Sequence, residues 1–362
     1  MHITKAETSI VQIPFPPAGD GTGIMPTTWN SLEFALVRLE DEHGNVGWGE
    51  GFGYFTVDAT KAIIDRLLLP RVLGSTITDI RAWNRQTQLD IHLFGRYGIT
   101  IFALSAVDIA LWDLAAKREN LPLHELISSA PARTSFDCYA SLMRYGRADL
   151  VTEASTEALR RGYTSIKLHE TTLVDIQACR DVIGPDMPMS VDVNCQWSEQ
   201  FVNTHRHELQ DLNIAWLEEP IFPPEDHRAL TRLRSADLPL AAGENWCTAQ
   251  QFTDAGDSVD IWQPSVTKVG GISAYLDILE LAATHNKTVI PHCPYFGPGF
   301  FATIHLAAVH EHMDNIEILF ADPKAWLAPI DAIHAGDRIT IPTGAGLGFA
   351  PDPQVYGRYR RA

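Results

Sequence analysis

Three short apolar segments in the middle of the chain each end at an acidic residue, and their order decides the fold. They are Pro188-Met-Ser-Val-Asp192, Ile214-Ala-Trp-Leu-Glu218 and Leu238-Pro-Leu-Ala-Ala-Gly-Glu244. Brief apolar runs of this kind form strands buried on both faces. Stretches with helical periodicity separate them, at residues 199–212 and 225–234. A strand and a helix that recur about every 25 residues predict a β/α barrel.

The three acids, Asp192, Glu218 and Glu244, are predicted to converge, because all strands of such a barrel open their C-terminal ends on one face. Three crowded anions repel one another unless a cation lies among them. Oxygen ligands without Cys or His favour a hard ion, with Mg²⁺ ahead of Mn²⁺. The alternative is that each carboxylate separately caps a helix or pairs with a basic side chain. That alternative needs a coincidence at three equivalent strand ends, so the sequence predicts one divalent cation site.

The repeat runs through eight candidate strand ends between residues 135 and 320. They are Ser141, Lys167 with His169, Asp192 with Asn194, Glu218, Glu244, Gln263 with Ser265, His292 and Glu317. After Phe320 the sequence becomes rich in Pro and Gly, with one short strand pattern at 339–341 and a glycine-rich loop at 344–350. This tail cannot complete another barrel unit. We therefore expect it to return to the N-terminal part of the chain.

The N-terminal part predicts a separate α+β unit. Strand-like alternation occurs at residues 2–13, 33–40 and 46–50, and helical patterns occur at 57–69, 80–93 and 100–117. The Gly- and Pro-rich segment from Pro14 to Pro26 is too long for a tight turn, and we interpret it as a mobile lid. The predicted domains are a capping domain at 1–127, a barrel with the metal site at 128–322, and a C-terminal segment at 323–362 that packs on the cap.

Composition excludes several classes of protein. The net charge of −17 argues against nucleic acid and anionic membranes as partners, since both bind basic surfaces. Five cysteines, an odd number, indicate reduced thiols in a cytoplasmic protein. The N-terminus lacks the basic start and apolar run of a secretory signal, and no uninterrupted apolar stretch approaches the roughly 20 residues of a membrane span.

Several motifs at the strand ends are typical of one superfamily. They are Ile166-Lys-Leu-His169, Asp192-Val-Asn194, Trp216-Leu-Glu-Glu-Pro220, Gly243-Glu-Asn-Trp246, Lys268-Val-Gly-Gly271 and Pro291-His292. In this order and at this spacing, the chain resembles the enolase superfamily, in its mandelate racemase and muconate-lactonizing branch, over nearly its whole length. The resemblance implies an α/β fold with a modified TIM barrel, (β/α)7β, behind an α+β cap, with a C-terminal segment that folds back onto the cap. It also implies Mg²⁺ bound by the three acids and assembly into a homo-oligomer.

The resemblance further implies a chemistry that suits the charges at the strand ends. Loss of the proton α to a substrate carboxylate creates a second negative charge, which a metal ion and a nearby lysine would neutralise as it develops. Lys167 is the predicted lysine beside that carboxylate. Glu317 is either a protonated hydrogen-bond donor to the carboxylate or a structural ion-pair partner. Lys268 is expected to assist or to serve as a structural cation.

Two histidines are candidate general acids or bases, because imidazole titrates near neutral pH. His292 matches the seventh-strand histidine of the family. His169 stands where the family usually has a second lysine, so it is either a base for one face of the substrate or a hydrogen-bonding group. Ser265 is the larger departure, because racemase-like members place there an Asp that pairs with the histidine, and muconate-lactonizing members a Lys. Without that Asp, and unless Asp260 or another acid replaces it, His292 is better suited to protonate a leaving group or to act as a secondary residue.

Predicted substrate contacts combine aromatic and polar side chains. They are Trp29, Phe52 and Tyr54 in the cap, Tyr295 and Phe296 after the seventh strand, and Ser141, Asn194, Gln196 and Asn245 at strand ends. The amide groups can bind hydroxyls, as a polyhydroxy acid would require.

The sequence thus predicts a Mg²⁺-dependent enzyme that acts on a small-molecule carboxylate. The favoured reaction is dehydration of a hydroxy (sugar) acid to a 2-keto-3-deoxy acid, with His169 or Lys167 taking the proton and His292 helping water to depart. The alternative is racemisation, epimerisation or cycloisomerisation through the same enediolate, and a distant one is a non-catalytic metal-binding relative. A zinc hydrolase is disfavoured, because no predicted strand end carries a His-x-His pair.

Overall fold

The computed structural model describes residues 1–17, 29–130, 132–313 and 315–361. The chain opens with an antiparallel sheet of β1 (Ile3–Pro14), β2 (Ser31–Asp41) and β3 (Val46–Gly51). The turn between β2 and β3 is stabilised by Asp41, whose Oδ1 accepts the backbone N–H groups of His43 and Asn45, each at 2.9 Å. The hairpin therefore lies where its turn residues predict it. Most of the lid predicted from Pro14 to Pro26, namely residues 18–26, lies outside the described residues.

Helices follow the cap sheet, largely where the periodicity predicts them. They are α1 (Val57–Ile63), α2 (Leu69–Val72), α3 (Ile80–Asp90), α4 (Ile99–Arg118) and α5 (Leu123–Ile127). The first predicted helix is interrupted by a π-helical turn at Ile64–Leu68, just before Pro70, which has no N–H to continue the α-helical hydrogen bonds. The second ends at Asp90, and a 3₁₀ turn occupies His92–Phe94.

Helix α4 forms the core of the cap. Among the described residues it is the one helix long and apolar enough to cross a membrane, with a mean hydropathy of 1.8, but 78% of that window is buried inside the protein. It packs so closely on β3 that a Cβ atom at Gly49 would lie 1.9 Å from the carbonyl oxygen of Ala106, and one at Gly47 would lie 2.2 Å from that of Ala110. The two glycines therefore permit the contact between strand and helix.

Within the described residues, eight parallel strands form the barrel. They are β4 (Ser135–Ser141), β5 (Ile166–Leu168), β6 (Met189–Asp192), β7 (Leu217–Glu218), β8 (Leu240–Ala242), β9 (Ile261–Trp262), β10 (Thr288–Val289) and β11 (Ile316–Leu319). Strands that follow one another in the chain are paired from β4 to β10, and β11 pairs with β4. An isolated bridge between Val289 of β10 and Met313, just before β11, lies where these two strands meet. Each residue predicted at a strand end lies in the corresponding strand or within three residues after it.

Helices cover the outside of the barrel. They are α6 (Ala148–Arg160), α7 (Leu173–Ile183), α8 (Glu199–Thr204), α9 (Arg206–Asp211), α10 (His227–Leu233), α11 (Ala249–Ala255), α12 (Gly271–Thr284) and α13 (Pro298–Ala308). The helix predicted at 199–212 is divided in two at His205. Most of the buried apolar side chains of the barrel helices and strands belong to one hydrophobic cluster, which also includes residues of the cap.

The C-terminal tail contacts both parts of the molecule. It contains a 3₁₀ turn (Ile330–Ala332), β12 (His334–Ala335), β13 (Arg338–Thr340) and α14 (Pro353–Tyr359). Strand β13 pairs antiparallel with the start of β4. The Leu347 N–H donates to Asp113 Oδ1 on α4 at 2.8 Å, and the Arg361 N–H donates to the Ile10 carbonyl on β1 at 2.8 Å. The exact domain limits remain predictions.

Candidate active site

The three predicted metal-binding acids meet at the C-terminal face of the barrel. Asp192 is the last residue of β6, Glu218 is the last residue of β7, and Glu244 lies two residues after β8. Gly243, between β8 and Glu244, has φ of 134°, and a Cβ atom there would lie 2.9 Å from Gln263 N. One oxygen from each acid lies within 4.8 Å of the others. Parallel strands thus bring together residues that are far apart in sequence.

Lys167, on β5, lies among the buried carboxylates. Its Nζ is 2.8 Å from Glu218 Oε1, 3.3 Å from Asp192 Oδ2 and 3.3 Å from Glu317 Oε1. Burial alone would lower the pKa of Lys167, but the surrounding carboxylates raise it well above its ordinary value. Lys167 is therefore a fixed cation, as predicted, and not an exposed lysine on the rim of the barrel.

The donor set fits a divalent ion. Glu218 Oε2 accepts hydrogen bonds from Trp216 Nε1 at 3.1 Å and Gln263 Nε2 at 2.7 Å, so this side chain is held in place. Asp192 Oδ2 is buried and accepts no hydrogen bond from the described residues, although Lys167 is near. Burial and the charge of Glu218 raise the pKa of Asp192 well above its ordinary value. Mg²⁺ holds oxygens at about 2.1 Å, so oxygens that share one ion lie within roughly 4.2 Å of each other, close to the arrangement here.

His169 follows β5 and is oriented by the backbone. Its Nδ1 is 2.6 Å from the Leu142 carbonyl oxygen, so Nδ1 carries the proton and Nε2 is left as the basic nitrogen. Nε2 lies 3.5 Å from Asp192 Oδ2. Burial and the charge of Lys167 lower the pKa of His169 to about 4, which keeps the ring neutral. Of the two predicted roles, these contacts favour the base.

His292 lies on the other side of the acids, three residues beyond β10. Its Nε2 is 2.9 Å from Glu244 Oε2, and its Nδ1 faces the hydroxyl groups of Ser265 and Tyr295. Burial would raise the pKa of Glu244, but His292 and Lys268 hold it well below its usual range. The two candidate histidines therefore approach the metal-binding acids from different strands, through Asp192 and Glu244.

Glu317, on β11, lies in the ion-pair cluster around Lys167, with Oε1 3.3 Å from Nζ. Its Oε1 accepts from Ser141 Oγ at 2.7 Å, and its Oε2 accepts from the Cys293 N–H at 3.0 Å. Burial would raise the pKa of Glu317, but Lys167 and His292 bring it below its ordinary value. The contacts thus support the second of the two roles considered for Glu317.

Lys268 lies in the cavity wall beside a group of polar side chains. Its Nζ donates to Asn245 Oδ1 at 3.1 Å and lies 4.7 Å from the centre of the Phe52 ring. The Asn245 amide donates to both oxygens of Glu219, at 3.1 and 2.9 Å, and to Glu244 Oε1 at 3.0 Å. Burial and the neighbouring Glu244 raise the pKa of Glu219 to about 8. Lys268 and Asn245 therefore order this side of the site.

A cavity of about 420 Å³ lies above these groups, between barrel and cap. Its wall includes predicted residues from both, namely Trp29, Phe52, Tyr54, Ser141, His169, Asn194, Glu244, Asn245, Lys268, His292 and Glu317. Asp192, Glu218 and Lys167 are buried beneath its floor. Tyr295 was predicted to contact substrate, but the structure does not place it on the cavity wall. It is 3% exposed and lies behind His292, because its hydroxyl group is directed at Ser265.

The sequence did not identify several residues of the cavity wall. They are Phe55, Phe102, Met143, Arg144, Cys195, Glu219, Pro294 and Leu319. Arg144 is the most notable, because its Nε donates to the His169 carbonyl at 2.6 Å and its Nη2 to Asn194 Oδ1 at 3.2 Å. It follows the end of β4 by three residues, so its position after a barrel strand could have identified it.

Comparison with known proteins agrees with this architecture. Residues 149–355 match the family model described as enolase C-terminal domain-like. Residues 9–128 match the mandelate racemase / muconate lactonizing enzyme N-terminal domain.

Relatives of known activity align over most of this chain. L-talarate/galactarate dehydratase of Salmonella typhimurium is 30% identical over 91% of this chain and 83% of its own length. Arabinonate dehydratase of Saccharolobus solfataricus is 27% identical over 94% of each. The 3,6-anhydro-alpha-L-galactonate cycloisomerase of Streptomyces coelicolor is 26% identical over 98% of this chain and 99% of its own length.

Solved structures show the same fold. The 3,6-anhydro-D-galactonate cycloisomerase of Zobellia galactanivorans superposes with a TM-score of 0.86, at 25% identity over 100% of both chains. A racemase from Streptomyces coelicolor A3(2) with bound magnesium superposes with a TM-score of 0.84, at 24% identity over 99% of this chain and 100% of the other. The fold, the acids at the barrel face and both family models agree, and the chain belongs to the mandelate racemase/muconate lactonizing enzyme family of the enolase superfamily.

Proposed function

We propose that this protein removes the proton α to the carboxylate of a hydroxy acid, with dehydration to a 2-keto-3-deoxy acid as the favoured outcome. The observation that carries the proposal is the pair of histidines at the two sides of the acid cluster, with Lys167 held among the acids. The dehydratases among the relatives act on sugar acids, as their names state.

The acids Asp192, Glu218 and Glu244 would hold Mg²⁺, with Mn²⁺ as a possible substitute. When bound, the ion would supply positive charge to the substrate carboxylate as it gains electron density. The racemase from Streptomyces coelicolor A3(2) was solved with magnesium, which supports this choice of ion.

The chain's own side chains would perform the proton transfers. His169 Nε2, whose lone pair is free because Nδ1 donates to Leu142, would take the proton from the α-carbon. Lys167 would stabilise the resulting enediolate charge. His292 would then donate a proton to the β-hydroxyl, so that the C–O bond breaks and water leaves. The enol that remains would tautomerise to the 2-keto acid.

A panel of sugar acids tests this proposal. Galactarate, arabinonate and rhamnonate, each with MgCl₂, should be assayed for 2-keto acid, and in D₂O for deuterium at the α-carbon by NMR. We expect 2-keto acid from at least one acid, and no activity after treatment with a chelator. An enzyme that forms no keto acid and exchanges no α-proton with any acid of the panel would contradict the proposal.

Cycloisomerisation is a second candidate, and the cavity wall favours it. Trp29, Phe52 and Phe102 form an aromatic part of the cavity wall, which suits a ring-containing substrate. The cycloisomerases among the relatives act on an anhydro sugar acid and on a lactone. If galactarolactone or 3,6-anhydrogalactonate gave an isomeric product of unchanged mass, and no acid of the panel lost water, this second function would replace the first.

A further inference from the structure

We propose that the hydroxyl groups of Ser265 and Tyr295 together position the His292 ring for proton transfer, in place of a carboxylate partner. The inference deepens the proposed function and rests on it. It assigns a role to the serine at the sixth strand end and to a tyrosine that does not reach the cavity.

The two hydroxyl groups meet on one side of the His292 ring. His292 Nδ1 is 3.3 Å from Ser265 Oγ and 3.2 Å from the Tyr295 hydroxyl oxygen, and these two oxygens are hydrogen-bonded to each other. His292 Nε2, at the opposite edge of the ring, lies 2.9 Å from Glu244 Oε2. The hydroxyl pair therefore fixes the nitrogen that faces away from the reaction and directs the other nitrogen into the site.

No carboxylate serves this purpose among the described residues. Asp260, the acid considered from the sequence, is occupied elsewhere: it accepts from Arg234 Nε at 2.6 Å and from the Leu240 N–H at 3.0 Å. Among the residues for which the structure gives contacts, the side-chain partners of His292 Nδ1 are only Ser265 and Tyr295. The orientation that a carboxylate would impose therefore comes from two neutral groups.

The segment that carries Tyr295 is anchored on several sides. The Cys293 N–H donates to Glu317 Oε2 at 3.0 Å, the Tyr54 hydroxyl donates to the Pro294 carbonyl at 2.6 Å, and the Gly299 N–H donates to Glu50 Oε2 at 2.9 Å. These partners come from the last barrel strand and from the cap. A side chain on so constrained a segment can hold its neighbour in one place.

Neutral hydroxyl groups suit this task in a particular way. Burial raises the pKa of the Tyr295 phenol well above its ordinary value, so it keeps its proton. A hydroxyl group can both donate and accept, so the pair can accept a hydrogen bond from Nδ1–H or donate one to a bare Nδ1. The ring is therefore held through a full cycle of proton transfer without the negative charge that an aspartate would add.

Three variants test the proposal: Tyr295→Phe, Ser265→Ala and the double variant. With the panel acid that the wild type dehydrates fastest, we expect each single change to lower kcat for 2-keto acid about tenfold. The double variant should lose about a hundredfold, within the range of general acid catalysis. KM should change less than twofold, because neither side chain lines the cavity. Exchange of the α-proton with D₂O should fall less than threefold, because that step uses the His169 side of the site.

The matched control is Tyr275→Phe. Tyr275 is also a buried tyrosine, but the one hydrogen bond of its hydroxyl group among the described residues is to Met313 Sδ, at 3.9 Å. This variant should keep wild-type kcat and the wild-type ratio of exchange to dehydration. If the double variant kept kcat within twofold, or lost exchange and dehydration in equal proportion, the positioning role would be wrong.

A second measurement does not depend on activity. Crystal structures of the wild type and the double variant, grown with MgCl₂ and no substrate, should show the His292 ring in the present orientation in the wild type and rotated or in several orientations in the variant. An unchanged ring in the variant would overturn the inference. An inactive wild type would instead contradict the proposed function, and this structural comparison would still decide the role of the hydroxyl pair.

Discussion

At the scale of single residues, the site is governed by an imbalance of charge. Asp192, Glu218 and Glu317 surround one ammonium group, that of Lys167, in a region with almost no exposure to water. Like charges at such distances are costly at low dielectric unless a cation compensates them. Lys167 compensates part of this charge, and Asp192 Oδ2 accepts no hydrogen bond within the part of the chain that the structure describes. The acids are therefore arranged to bind an ion more than to stabilise the fold.

The variant Asp192→Asn tests this interpretation. A bound ion stabilises a protein by RT ln(1 + [L]/Kd), about 2.7 kcal/mol at a hundredfold excess over Kd. MgCl₂ should raise the Tm of the wild type and leave that of the variant unchanged. Without metal, the variant should be at least as stable as the wild type, because the buried carboxylate is removed. Asp186→Asn, at an exposed acid, should retain the full Mg²⁺ response. A shift in Tm with MgCl₂ for the Asp192 variant would count against the assignment.

At the scale of elements, the cap depends on the contact between β3 and α4. Gly49→Ala would place a Cβ atom 1.9 Å from the Ala106 carbonyl oxygen, which belongs to a helix backbone and cannot rotate away. We expect a loss of about 3 kcal/mol in the free energy of unfolding, at the upper end for overpacked cores. Urea unfolding monitored by circular dichroism measures this loss. Gly357 lies in α14, where an added Cβ atom would meet no surrounding atom within 4 Å. Gly357→Ala should therefore leave the free energy of unfolding unchanged or raise it by up to about 1 kcal/mol.

The same scale shows what the sequence can predict. The acids, Lys167 and both histidines were located because a barrel directs every strand end to one face, so that periodicity alone gives their place. Met143 and Phe102 were missed, because their presence in the cavity depends on how loops and cap pack together, which residue spacing does not encode. Tyr295 was assigned to the substrate because its sequence position follows a strand end. Its side chain turns instead toward Ser265.

At the scale of the whole molecule, buried polar groups join cap and barrel. Asn84 Nδ2 donates to the Gly270 carbonyl at 2.8 Å, and Asp108 Oδ1 accepts the Ser273 N–H at 2.9 Å. Glu50, at the end of β3, accepts the Gly299 N–H of α13. Burial raises the pKa of Glu50 to about 8. Between about pH 4.5 and pH 8, Glu50 therefore keeps its proton in the folded protein and loses it in the unfolded chain.

This difference gives a pH dependence of known sign. Because the folded protein binds the proton more tightly than the unfolded chain, the contribution of Glu50 is fully present below about pH 4.5 and is lost as pH rises toward about 8. Glu50→Gln keeps an acceptor for Gly299 and carries no charge. The free energy of unfolding of this variant minus that of the wild type should rise by about 2 to 4 kcal/mol from pH 5 to pH 8. Chemical denaturation at both pH values measures it. Glu7→Gln, at an exposed acid of β1, should show no such trend, and a parallel trend in both variants would contradict the prediction.

The contact between Ser265 and Tyr295 also limits how this enzyme can evolve. Because the serine oxygen already touches the phenol, a longer acidic side chain at residue 265 would collide with residue 295 unless that residue changed as well. An aspartate–histidine pair at this place would thus need two substitutions, one at residue 265 and one at residue 295.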